Sequence, residues 1–309
     1  MSDFSFSPAV REKTPMILAL AGASGSGKTY SALELASGLA GDGKIAFIDT
    51  EGRRGLHYAD QFQFDYCELH SPYEPASFLR AWKAAEAAGY TVIVTDSYSD
   101  EYIGEGGLVD MAAKEIERVK NSAAAWARPK AAHKLGVRWM RQARCHLIFC
   151  LRAEEKVRLE QADRGGKKET VVVPIGWQPV CEKNVPYEMT TSFMLTPDNP
   201  GVPQPIKLQE QHRAFFPTGQ KISRECGKRL AEWCAGGRDL APPIASPSPP
   251  LGEAEWTNDL LKTGEETAQF GTARLQEWWE NDLTREERRA LRNSLSRLQS
   301  MALEADAAS

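Results

Sequence analysis

The chain has 309 residues, enough for one large domain or a main domain with a small appendage, and at 42% hydrophobic and 26% charged it has the composition of a soluble globular protein with a real core. A net charge of -4 and a pI near 5.9 exclude a protein that coats nucleic acid through a broad basic surface. The acidity is concentrated at one end: from Leu251 onward 7 Lys/Arg face 12 Asp/Glu, leaving 31 and 30 in the first 250 residues, so a local basic patch on the body stays open.

Residues 1–14 read as a flexible lead with no apolar signal core, and no stretch approaches the roughly 20 apolar residues that span a bilayer. None of the six cysteines forms a CxxC pair or has histidines at zinc spacing, which fits core thiols in a reducing cytoplasm. Met16 to Ala21 is a short continuous apolar run, the pattern of a strand buried on both faces. A glycine-rich loop follows, then a helix over Tyr30 to Leu39. Lys44 to Asp49, Phe62 to Leu69, Thr91 to Asp96 and Cys145 to Leu151 are further candidate strands. Between them, Pro75 to Ala88 reads as a helix stopped by Gly89, another helix starts near Leu108, and one runs over Ala131 to Ala143. Apolar strands alternating with helices predict a mostly parallel sheet in an α/β domain over residues 15–236. Past Lys156, the segments Thr170 to Val173, Tyr187 to Leu195 and Pro205 to Leu208 read as antiparallel strands, with a closing helix over Ile222 to Trp233. Residues 237–252 are rich in Pro, Gly and Ser and read as a linker. Residues 253–309 form a small helical appendage with predicted helices over Glu253 to Phe270, Thr272 to Asp282 and Thr284 to Ala305. Thr272 is a candidate cap there, and Thr284 with Glu287 forms a capping box.

Gly22-Ala23-Ser24-Gly25-Ser26-Gly27-Lys28-Thr29 matches the phosphate-binding pattern GxxxxGK[ST] in full, with an apolar strand before it and a helix beginning at Tyr30 after it. The loop must wrap a phosphate with backbone N–H groups, so glycines stand where φ is positive or a Cβ would clash. The helix N-terminus then faces the anion. Lys28 places a charge on the β- and γ-phosphates, and Thr29 offers a hydroxyl to Mg²⁺, so the expected ligand is Mg-ATP held by Gly22 to Tyr30. Two carboxylates compete as the second magnesium partner, Asp96 at the end of TVIVTD and Asp49 at the end of KIAFID. The strand order resembles that of RecA-type ATPases, in which the strand soon after the P-loop helix ends near a catalytic glutamate and a later strand carries the magnesium aspartate. The resemblance implies Asp96 for the metal and Glu51 for orienting the attacking water, and Asp49 would instead bond the loop around Thr29 or the metal's water shell. Arg152, at the end of CHLIFCL, is a candidate γ-phosphate sensor, while Glu154 to Lys156 reads as a solvated charge run.

GASGSGKTYSALELASGLA, IAFIDTEGRRGLHYAD and AAEAAGYTVIVTDSYSDEYIGEGGLVD, followed by AAAWARPK, HLIFCLRAEEK and VPYEM, resemble bacteriophage P-loop AAA-family ATPases with RecA-like cores, related to phage recombination ATPases that assist single-strand annealing. The resemblance runs from about residue 16 to 195. It departs from the family pattern at Asp100-Glu101-Tyr102, where His-Glu-Trp is frequent, and at Arg152-Ala153-Glu154, where Arg-Ser-Lys is frequent. The C-terminal GTARLQEWWENDLTREERRAL is similar to a helical tail of phage DNA-metabolism proteins. The resemblance implies a RecA-like fold, ATP hydrolysis, single-stranded DNA as partner, a homo-oligomer and contact with a recombination or single-strand-binding protein. It also implies a cation supplied by a neighbouring subunit, for which Lys183 is the candidate.

The residues add a thin case for DNA. Nine Lys/Arg lie between Lys114 and Arg144, among them Lys130, Lys134 and Arg138, with Trp126 and Trp139 interleaved. A loop with Gly165-Gly166 carries Arg158, Arg164, Lys167 and Lys168. The bland alternative is a solvated helix face with core tryptophans, and Trp278-Trp279 reads as a helix-packing pair. Two rival functions stay open: an ATP-driven protein-remodelling factor, and a small-molecule kinase whose arginine-bearing lid would be residues 152–168. Glu51 favours hydrolysis over transfer.

Overall fold

The computed structural model describes residues 8–164, 167–237, 253–283, 285–292 and 294–307. The first half of the lead, the linker from 238 to 252, Gly165-Gly166 and the Thr284 capping box lie outside them. The chain divides into two compact units, Met1–Leu240 and Ala241–Ser309.

In the first unit, strands β1 (Ile17–Gly22), β2 (Ile45–Asp49), β3 (Asp65–Glu68), β4 (Val92–Asp96), β5 (His146–Arg164), β6 (Lys167–Pro179), β7 (Thr191–Leu195) and β8 (Gln204–Lys207) form a sheet in the order β3-β2-β4-β5-β1-β7-β8, with β6 paired to β5. The pairings β2–β3, β2–β4, β4–β5, β5–β1 and β1–β7 are parallel. A strand inserted between the loop-bearing β1 and β4 is the RecA-like arrangement, and the fold is a mostly parallel α/β sheet. The helices are α1 (Lys28–Ala40), α2 (Pro75–Ala87), α3 (Ser99–Ile103), α4 (Leu108–Val119), α5 (Ser122–Ala125), α6 (Ala127–Met140), α7 (Val185–Glu188) and α8 (Arg224–Ala235).

Side chains of the central strands β1, β2, β4, β7 and the first part of β5 alternate between two buried layers, as a sheet covered on both faces requires. Leu18, Leu20 and Phe47 pack under α1 and α8. Ala19, Ala21 and Ile48 pack with Phe78 and Trp82 of α2 and Met140 of α6. The helices α1 and α8 touch backbone to backbone through Gly38 and Gly227; a Cβ on Gly38 would stand 2.1 Å from the Arg224 carbonyl oxygen.

Three elements of this unit differ from the sequence expectations. Tyr187 to Leu195 is not one antiparallel strand: Pro186 starts the turn of α7, and the shorter β7 that follows is parallel to β1, with Leu18 beside Thr191. The helix expected at Ala131 begins at Ala127, because Pro129 sits in its first turn, where the missing N–H has no intrahelical partner anyway. Asn121 caps the short α5 before it, its Oδ1 accepting the N–H groups of Ala123 and Ala124. The strand expected to end at Leu151 runs on to Arg164 and pairs antiparallel with β6 from Ala153↔Pro179 to Arg164↔Lys167. The expected arginine-bearing segment 152–168 thus falls on this hairpin; Val157, Leu159 and Val172 on it are exposed, as is the Glu154 to Lys156 charge run.

The second unit comprises α9 (Glu253–Ala268), α10 (Thr272–Glu277), a π-helical turn Trp278–Asp282, α11 (Arg285–Ala290) and α12 (Leu295–Ala307) around Ala268, Leu275, Trp278, Leu291 and Leu298. Trp278 is buried and Trp279 packs beside it, a helix-packing pair as read from the sequence. Thr272 is not the cap: Gly271, at φ 93°, takes that position, and the N–H and hydroxyl of Thr272 both donate to Asp306 of α12, at 3.0 and 2.5 Å. The single helix expected over Thr284 to Ala305 is divided into α11 and α12.

Candidate nucleotide site

Parallel pairing brings the C-terminal ends of β1, β4 and β2, and the point at Arg152 where β5 leaves its parallel partners, to one edge, the usual place for a ligand in an open α/β sheet. Gly22 stands beside Arg152, Cys150 beside Asp96, and Asp96 beside Asp49. The loop from Gly22 to Gly27 bends back into α1, with Gly25 at φ 78° and Gly27 at φ 83°. Gly22 has no space for a side chain: a Cβ would meet the Ser26 hydroxyl at 2.3 Å and the Leu195 carbonyl oxygen at 2.4 Å. Ser26 is fully buried and donates its hydroxyl to the Ala23 carbonyl at 2.8 Å, and Lys28 Nζ donates to the same oxygen at 2.8 Å. These bonds hold the bend of the loop from within, and the Ala23 carbonyl is a partner that Lys28 could exchange for a phosphate oxygen.

Thr29 donates its hydroxyl to Asp96 Oδ2 at 2.6 Å. Burial pushes the Asp96 carboxyl up to about 6, against the pull of the Thr29 hydrogen bond, with Glu51 adding to the rise. A buried carboxylate held at a hydroxyl, next to a phosphate loop, is the hard oxygen donor set that suits magnesium on a nucleotide. Among the described residues there is no cluster of three His, Cys, Asp or Glu able to hold a metal without such help.

Asp49 does something else. It is 1% exposed; its Oδ1 accepts the Glu51 N–H at 2.6 Å, and its Oδ2 accepts the Gly55 N–H at 2.9 Å and the Tyr66 hydroxyl at 3.2 Å. It therefore ties down the turn after β2, not the loop around Thr29. That turn carries Glu51 into the site. Glu51 Oε1 accepts from Arg152 Nε at 3.1 Å, and Glu51 Oε2 lies 3.6 Å from an Arg54 guanidinium nitrogen. Arg152 also donates to Asp100 Oδ2 at 3.0 Å, an oxygen that accepts the Thr50 hydroxyl at 2.6 Å. Burial raises the Asp100 carboxyl above its ordinary value, while Thr50 and Arg152 pull the other way. Beneath it, Glu101 and His133 form a buried pair at 2.8 Å that joins α3 to α6.

A cavity of about 670 Å³ is lined by the loop, Lys28, Thr29, Glu51 and Arg152, and walled by Arg54, His57 and Tyr58 of the 3-10 turn Arg54–Tyr58, with Asp96 behind Thr29 and outside the lining. Ser26 and Tyr30 are outside its lining; the Tyr30 ring packs edge-on against Tyr58 and Phe62. Lys183 is exposed on the turn after β6 and is also outside the lining. Lys130, Lys134 and Arg138 are exposed at four-residue spacing on α6, hence on one face of it. Their neighbours Arg118 and Arg128 pair with Glu115, and Arg141 with Glu188. Trp126 stacks on Tyr102 and Trp139 on Trp82, so both rings pack against the protein.

The sequence reading missed Asp100 and the Arg54–Tyr58 wall. The available signals were a second carboxylate four residues past Asp96 and two arginines directly after Glu51-Gly52. No curated protein matches the chain. The family model described as an AAA domain matches residues 14–191, more than half of the chain and the whole of the strand-and-loop framework just described. The chain belongs to this AAA-domain family of nucleotide-binding P-loop ATPases.

Proposed function

We propose that the protein hydrolyses Mg-ATP and couples hydrolysis to work on single-stranded DNA in recombination or replication. The observation that carries the hydrolysis is the meeting of Thr29 and Asp96 at 2.6 Å, with Glu51 lining the same cavity. The loop amides and Lys28 would bind and orient the triphosphate. Asp96, with the Thr29 hydroxyl, would hold magnesium, which supplies charge neutralisation on the β- and γ-oxygens. Glu51 would orient water and take up its proton. Arg152 restrains Glu51 by an ion pair at 3.1 Å, a contact open to rearrangement when a γ-phosphate enters.

The exposed stripe Lys130, Lys134 and Arg138 supports the DNA half, together with the resemblance to phage recombination ATPases. A homo-oligomer and a recombination or single-strand-binding partner rest on that resemblance alone. The tryptophans favour a backbone-tracking contact over base stacking, since both are engaged within the protein. The kinase reading is the weaker one, because the family that matches is one of P-loop ATPases.

The test is steady-state ATP hydrolysis with and without single-stranded DNA, for the wild type and two variants. Lys28→Ala should abolish turnover and weaken nucleotide binding. Glu51→Gln should keep binding and lower turnover by about 10²-fold or more. Full turnover in a pure Lys28→Ala preparation refutes the hydrolysis, and a rate indifferent to DNA, with no DNA binding at low salt, favours the protein-remodelling reading.

A further inference from the structure

The C-terminal unit carries a recess of its own. A groove of about 520 Å³ runs between α10 and α12, lined by Leu275, Trp279, Leu295 and Leu303 together with Glu280. The apolar residues come at helical spacing: Leu275 and Trp279 four apart along α10 and the turn after it, Leu295 and Leu303 eight apart on α12. The two helices run antiparallel, because Asp306 near the end of α12 accepts from Thr272 at the start of α10. Trp278, 5% exposed, fills the core of the unit, while its neighbour Trp279 lines the groove. The π-helical turn that begins at Trp278 is a rare geometry that recurs at functional sites. Leu275 closes the floor at 3% exposed, yet Leu303 stands in the same lining at 61% exposed. A large apolar side chain left open beside an aromatic ring, in a groove already shaped, is the arrangement of an interface core.

The rim selects the sign of what enters. Among the described residues, the lining contains Glu280 and no cation. At the opposite end, the last turn of α12 holds Glu304 and Asp306, both exposed, and no basic residue. The helix C-terminus there adds its own preference for positive charge. Carboxylates therefore flank an apolar floor that spans about 12 Å from Leu295 to Leu303, two helical turns.

We infer that this groove docks a short amphipathic helix of a partner protein, one that is basic on its polar face and presents two or three large apolar side chains one turn apart. Its apolar stripe lies over Trp279 and Leu303. Its Lys or Arg side chains meet Glu280 at one end and the carboxylates of α12 at the other. Two copies of this chain meeting groove to groove would instead set carboxylates against carboxylates. The inference concerns the C-terminal unit by itself and does not depend on ATP hydrolysis.

The experiment titrates the full chain into a labelled synthetic helix of about 14 residues, built of Leu and Lys at helical spacing, and reads fluorescence anisotropy at several salt concentrations. Two control peptides carry Glu in place of every Lys, or Ser in place of every Leu. The wild type should bind the Leu/Lys helix, less tightly as salt rises, and neither control. Leu303→Lys should weaken that binding by about tenfold or more, and Glu280→Lys by about threefold at low salt. Both positions are exposed, and thermal melts check that the fold survives. If Leu303→Lys melts early, Glu280→Lys decides alone. No binding of the Leu/Lys helix at low salt overturns the inference, as does equal binding of the Glu peptide or an affinity unchanged in either folded variant. Sedimentation of the chain without peptide is the last arm: a dimer that Leu303→Lys dissolves gives the groove to a second copy and overturns the inference too.

Discussion

Replacing Asp49 by Asn separates a structural carboxylate from a magnesium carboxylate with almost no change in shape. In the wild type, both Asp49 oxygens accept: one from the Glu51 N–H, the other from the Gly55 N–H and the Tyr66 hydroxyl. Asn has one accepting oxygen and one donating nitrogen, so at least one backbone N–H loses its acceptor and faces another donor in a site that is 1% exposed. Hydrogen bonds to a charged group contribute about 1.5–3 kcal/mol each, and a buried unsatisfied donor costs about 1–3 kcal/mol. Together these put Asp49→Asn at roughly 2–4 kcal/mol of destabilisation. For a domain of this size that is a fall in Tm of roughly 5–15 °C. Urea titration and thermal melts give the stability, and turnover across a magnesium titration gives the function. Turnover should fall, because Glu51 rides on the loosened turn, while the magnesium concentration at half-maximal rate should stay close to wild type. Asp96→Asn should show the opposite pattern, a raised magnesium requirement. Unchanged stability of Asp49→Asn with a lost magnesium response would refute the assignment and return Asp49 to the metal.

The buried pair of Glu101 and His133 carries a pH signature. Burial opposes the charge on His133, but the hydrogen bond and charge of Glu101 outweigh it, so its folded pKa lies above the ordinary 6.5. Its stabilisation is fully present below that ordinary value and is lost as pH rises through the folded one. His133→Gln should therefore cost more at pH 6, up to about 3–5 kcal/mol, than at pH 9, and a difference that does not vary with pH in urea titrations would contradict this. Replacing Lys130, Lys134 and Arg138 with Ala should weaken single-stranded DNA binding and flatten its slope against log salt by about 2, at about 0.7 per neutralised phosphate. A slope equal to wild type would remove α6 from the interface.

The local patterns of the sequence determined a great deal of this protein. Short continuous apolar runs of five or six residues bounded by turn residues suit strands buried on both faces and are too short for buried helices, so β1, β2, β4 and the start of β5 were legible from residue order. The phosphate loop was legible too, because its glycines and its Lys-Thr pair answer to backbone geometry within eight residues. Tertiary structure decided what depends on neighbours far along the chain. Asp49 and Asp96 both end a buried strand in the same way; only the strand order places Asp96 at Thr29 and leaves Asp49 facing its own turn. The pairing of Arg152 with Glu51 spans 101 positions, and that of Glu101 with His133 spans 32. Such contacts leave no periodicity to read, because a salt bridge requires two side chains to meet in space, and the sheet, not the sequence spacing, brings them together. The extension of β5 into a hairpin had the same origin. Residues 154–159 are exposed, and their strand conformation comes from the hydrogen bonds of β6 rather than from burial of their own side chains.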